Sequence, residues 1–117
     1  MSTSSWRKRR NLVQATGWNN GSHRSSGAGY GLKVRAEDRD RFFQRDWTEV
    51  VLHLPNHAFT AVRLSESFWR DCSELRSAAV GRWLREAGLA PWPHRQPPAL
   101  GLSPLQGNHF ELTAASR

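Results

Sequence analysis

The residues of this chain best suited to chemistry are its arginines and tryptophans. Trp47, Trp69, Trp83 and Trp92 fall among Arg70, Arg76, Arg82, Arg85 and Arg95 over the later part of the sequence. A guanidinium grips phosphate through parallel hydrogen bonds and an exposed aromatic ring stacks on a base, so the combination suits nucleic acid. Arg82 and Arg85 are spaced to share a helix face, which Arg95 extends beyond Pro93. A second cationic set, Arg7, Lys8, Arg9, Arg10 and Arg24, occurs near the start with no acid among the first 27 residues. Cations on a flexible arm contact phosphates whatever the base sequence. The competing reading makes Trp69, Trp83 and Trp92 core anchors of a small domain. On that reading Asp71, Glu74 and Glu86 offset a solvated arginine face.

Other chemistry is weaker. Glu37, Asp38 and Asp40 are hard oxygen donors of the kind that hold magnesium or calcium. A metal-dependent nuclease needs a further acid or a lysine at the same point, and none is visible in the sequence. The three also suit the first turn of a helix. His53, His57, His94 and His109 have neither a cysteine pair nor the HExxH spacing that marks a zinc site. Cys72 is the single cysteine, which rules out an internal disulfide and suits a reducing compartment. Gly27 to Gly31 looks like a phosphate-cradling loop, yet such a loop must open a helix, and here a strand is expected to follow. No cofactor is expected.

The elements that must position these groups follow from pattern. In 117 residues with a net charge of +7 there is room for one domain. Residues 1–27 carry five of the basic residues and are poor in large apolar side chains, so they read as a disordered basic arm. Residues 28–117, with twelve basic and ten acidic residues, read as a single folded domain. Tyr30, Leu32 and Val34 alternate with polar residues or glycine as in a half-buried strand, and the acids of Ala36 to Arg45 precede its late arginines as in a short helix. Trp47 to Leu54 and Phe59 to Leu64 flank Pro55-Asn56-His57-Ala58 and make a hairpin. From Ser65 to Ala87 the apolar residues Phe68, Cys72, Leu75, Ala79 and Trp83 recur at helical spacing, with Ser73 or Ser77 able to divide the helix in two, and Gly88 ends it. Pro91 to Pro104 is too proline-rich for regular structure, and His109 to Thr113 closes the sheet.

Several stretches are dense in Trp, Arg and Gly. They are Gly29-Tyr30-Gly31-Leu32, Glu37-Asp38-Arg39-Asp40, the run from Ser67 to Arg76, Gly81-Arg82-Trp83-Leu84, and Gly88 to Pro93. On these the segment from Gly29 to about Pro98 resembles a family of uncharacterised small bacterial proteins. The resemblance implies no activity.

The expected architecture is α+β: a small, mainly antiparallel sheet in the order β-α-β-β-α-β, with barrel-like curl, packed by one long or two short helices. The expected function is non-enzymatic nucleic-acid binding, with DNA as one target, through Arg7, Lys8, Arg9, Arg10, Arg24, Arg70, Arg76, Arg82, Arg85, Trp92 and Arg95. The alternative is a protein-interaction module with an exposed aromatic patch around Trp69, Trp83 and Trp92. No apolar run reaches the roughly 20 residues that span a bilayer, so a cytoplasmic, membrane-free protein is expected.

Overall fold

A computed structural model describes residues 12–21, 24–70 and 73–114. Arg7, Lys8, Arg9, Arg10 and Cys72 lie outside the described residues. The elements run β1 (Val13–Asn19), β2 (Tyr30–Val34), α1 (Ala36–Phe42), β3 (Glu49–His53), β4 (Phe59–Arg63), α2 (Glu66–Arg70), β5 (Glu74–Arg76), α3 (Ala78–Glu86), β6 (Ala99–Pro104) and β7 (His109–Ala114). The seven strands form one sheet in the order β4-β3-β7-β6-β1-β2-β5. All neighbours are antiparallel except β3 and β7. The sheet curls into a nearly closed barrel whose edges, β4 and β5, approach across a seam lined by Arg63, Ser65, Ser67, Glu74 and Arg76. Among the described residues no helix is long and apolar enough to cross a membrane.

The α+β class, the β3–β4 hairpin and the final strand are as the sequence pattern requires. Three local expectations are corrected. Val13–Asn19, placed in the arm, is a strand hydrogen-bonded on both sides, so a boundary at residue 27 falls too late. The stretch from Ser65 to Ala87 takes the two-helix alternative, and the correction is the strand between the helices, β5, which pairs with β2. Ser77 makes the second break, since its Oγ accepts from the Val80 N–H at 3.2 Å as an N-cap. The proline-rich segment contains β6, because its prolines flank the strand or end it, where a missing N–H costs no ladder bond.

Alternate residues of each strand point inward. Val13 and Ala15 of β1, Leu32 and Val34 of β2, Leu100 and Leu102 of β6 and Leu112 of β7 are buried together. One end of this core is plugged by aromatic rings. Phe43 stacks on Phe110 at 4.8 Å, tilts against Phe68 at 5.2 Å, and meets Trp47 edge-on at 6.1 Å. Arg39 of α1 is buried beside this plug, its Nη1 donating to the Phe68 carbonyl at 2.9 Å and its Nε to Asp40 Oδ1 at 2.9 Å.

The Arg39 hydrogen bond, with the positive charges of Arg39 and Arg45, holds the Asp40 carboxyl below the usual carboxylate range. A depressed carboxylate contributes stability above its unfolded pKa and loses that contribution as pH falls through the folded value. Asp40→Asn should therefore lower the thermal midpoint slightly at neutral pH. The difference from wild type should disappear as the pH is taken from about 4 downwards, and thermal unfolding across that range checks it.

Candidate nucleic-acid interface

Strand register decides which candidate side chains meet. Trp18 on β1 lies opposite Gly31 on β2, which lies opposite Arg76 on β5, so Trp18 and Arg76 share the outer face across a residue with no side chain. At Gly31 the β2 and β5 backbones are so close that a Cβ would strike the Leu75 carbonyl. Arg76 reaches over this gap to place its guanidinium 4.9 Å from the Trp18 ring centroid, and its Nη2 donates to Glu74 Oε1 at 3.2 Å.

Just beyond this row the chain turns back at one end of the barrel, opposite the aromatic plug. The turn opened by Arg24 is pressed against α3 by two glycines. A Cβ on Gly27 would overlap the Ala78 carbonyl, and one on Gly81 would overlap the Gly27 carbonyl. Backbone therefore meets backbone, and Arg82 donates from Nη1 to the Ser26 carbonyl at 3.2 Å. Ser77 ties the start of α3 to β2, its N–H donating to the Tyr30 carbonyl at 3.0 Å.

The loop from α3 to β6 covers the same end, where the Gly17 N–H donates to the Pro98 carbonyl at 3.0 Å. Trp92 of this loop turns inward, meeting Tyr30 edge-on at 5.7 Å and lying over Gly17, where a Cβ would come within 3.0 Å of its ring. Arg95 is exposed in the following turn, and Arg85 is half-buried on α3. Segments 24–31 and 74–98, which build this end, contain Arg24, Arg76, Arg82, Arg85 and Arg95 against two acids, Glu74 and Glu86.

The predicted set thus divides. Arg24, Arg76, Arg82, Arg85 and Arg95 gather at one barrel end, whereas Arg70 is exposed on α2, outside the segments that build it. Trp92 is a packing residue here, and Trp18 is the aromatic that sequence reasoning missed. Its signal was its place two residues beyond Thr16 and four beyond Gln14, all on one strand face, obscured by the reading of that segment as an arm. The expected tryptophan patch is not assembled, because Trp83 is 6% exposed and Trp69 packs on Phe68 with the Arg39 and Arg45 guanidinium groups over its ring.

The acids considered as metal ligands are dispersed among separate partners. Glu37 pairs with Arg35 at 2.8 Å, Asp38 accepts from the Gln14 N–H at 2.8 Å, and Asp40 pairs with Arg39. Among the described residues no three His, Cys, Asp or Glu side chains form a metal-holding group. His53 Nε2 and His109 Nδ1 lie 2.8 Å apart on adjacent strands, a pair the sequence did not disclose. Comparison with family models, with curated proteins and with solved structures finds no match to this chain.

The Gly27–Gly81 contact seats the turn after Arg24 on α3, and it leaves no room for a methyl group on either backbone. Gly81→Ala should cost about 1–3 kcal/mol through overpacking. Urea denaturation measures that loss, and an unchanged midpoint would mean that the turn is not seated on α3.

Proposed function

We propose that the chain binds nucleic acid without catalysing a reaction, through the arginine-rich end of the barrel. The observation that supports this reading most directly is the placement of Arg24, Arg76, Arg82, Arg85 and Arg95 on a turn, a strand, a helix and a loop that build one barrel end, where the acids of the same segments are Glu74 and Glu86. Their visible partners are largely uncharged. Arg82 uses a backbone carbonyl, Arg76 divides its guanidinium between Trp18 and Glu74, and Arg85 and Arg95 have no ion pair among the described residues. A surface on which arginines outnumber acids presents a positive potential to polyanions. Phosphate then displaces water and condensed counterions, not an internal carboxylate. Arg7, Lys8, Arg9 and Arg10 add cations of the same sign at the start of the chain.

A protein contact is the second reading, favoured by Phe59, which is 71% exposed and stacks on His53 at 5.9 Å on the part of the sheet formed by β3 and β4. Aromatic residues at such positions commonly anchor interfaces.

Fluorescence anisotropy of labelled DNA and RNA with the full chain tests the first reading. Affinity should fall at least about 100-fold between roughly 50 and 200 mM salt. Arg82→Ala should weaken binding across all sequences and reduce the salt slope by about one. Equal binding by the wild type and by a variant lacking Arg24, Arg76 and Arg82 together would overturn the assignment of this surface.

A further inference from the structure

We infer that the ligand is single-stranded nucleic acid and that it leaves the arginine-rich end along the outer face of β1 and β2, with one base stacked on Trp18. The inference rests on the nucleic-acid reading and adds the path and strandedness of the ligand. Three observations carry it.

The first is a line of cations. Arg76 lies in the row of Gly31 and shares its guanidinium with Glu74. Lys33 follows two residues along β2 beside Thr16 and opposite Glu74, and Arg35 follows two residues further beside Gln14, paired with Glu37. Alternate residues on a strand are separated by about 7 Å and share one face. That repeat is of the order of the separation between successive phosphates along one extended strand. Lys33 is exposed and makes no ion pair among the described residues, so its ammonium is open to an anion.

The second is the groove beside that line. A cavity of about 430 Å³ opens on the outer face between Leu12, Gln14, Thr16, Lys33, Arg35 and Ala99. Its floor is apolar where the backbone of β6 and β1 is covered only by small side chains, and Gly101 admits the Leu12 side chain at 3.0 Å from where its own Cβ would stand. Its rim is cationic. An apolar floor under a positive rim complements an unpaired base with its phosphate, whereas a duplex keeps the faces of its bases in the stack and offers the floor only groove edges.

The third is Trp18. The ring is half-buried on the outer face, next along β1 from Thr16, and held by Arg76. Stacking on it requires a base whose faces are free, which again selects an unpaired strand.

The experiment compares the full chain with short oligo(dT), oligo(rU) and a mixed-sequence duplex of the same length, by anisotropy at one moderate salt concentration. Single strands should bind at least about tenfold more tightly than duplex. Trp18→Ala should weaken single-strand binding by about 5- to 150-fold, the range of one lost base stack, while Trp18→Phe keeps most of it. Lys33→Glu, an exposed substitution that leaves the core untouched, should weaken single strands more than duplex. Circular dichroism of each variant separates lost binding from lost fold. The two single-stranded probes decide between DNA and RNA without bearing on the path. Duplex binding as tight as single-strand binding, with Trp18→Ala and Lys33→Glu without effect, would overturn this inference and leave the nucleic-acid reading standing. No binding of any probe would overturn both.

Discussion

Everything in this barrel depends on β1 being hydrogen-bonded on both sides. It pairs with β6 through Val13 to Thr16 and with β2 through Ala15 to Asn19. Without it the sheet would fall into a four-stranded piece, β4-β3-β7-β6, and a two-stranded piece, β2-β5, neither able to enclose the core. Two-stranded ribbons are marginal in water. The inner residues of β1 are correspondingly modest: Val13, Ala15 and Gly17, with Gly17 leaving the space that Trp92 and Pro98 occupy. The strand is held more by its two ladders than by the bulk of its side chains, and the bulk is supplied by neighbours.

That arrangement explains what could be read from sequence and what could not. Strands β2, β3, β4 and β7 carry large or β-branched residues on their inner faces, so alternation of hydrophobicity reveals them. In β1 the inner positions shrink to alanine and glycine, and a strand whose apolar contribution comes from a tryptophan elsewhere in the chain leaves almost no periodic signal. β5 is hidden for the opposite reason. Leu75 sits at helical spacing from both Phe68 and Ala79, so a three-residue strand completes an apparent helix stripe. Only the cap by Ser77 marks the break, and capping by serine is local chemistry that several positions could equally have supplied. The arginines of the candidate site were legible as residue types. Their meeting was not, because it depends on two glycines, Gly27 and Gly81, brought together from opposite sides of the chain.

The two ends of the barrel handle charge differently. Around α1, beside the aromatic plug, arginines are matched with carboxylates: Arg35 with Glu37 and Arg39 with Asp40. Arg39 is also buried, where an unpaired cation would carry a large desolvation cost, so its bonds to Asp40 and the Phe68 carbonyl are structural. At the opposite end Arg82 rests on a backbone carbonyl, and Arg76 is shared between the Trp18 ring and Glu74, so charge is cancelled only in part.

This contrast bears on function more than the total charge does. A net charge of +7 could be spread evenly and mean only solubility. Here Arg24, Arg76, Arg82, Arg85 and Arg95 lie in segments whose acids are Glu74 and Glu86, so positive charge is in excess there. Folding alone gives no reason for that excess beside a contact packed so closely that glycine is required. On the proposed nucleic-acid reading a polyanionic ligand gives one, because phosphate offsets the excess charge and the rigid backbone contact orders the Arg82 guanidinium beforehand, so less entropy is lost on binding.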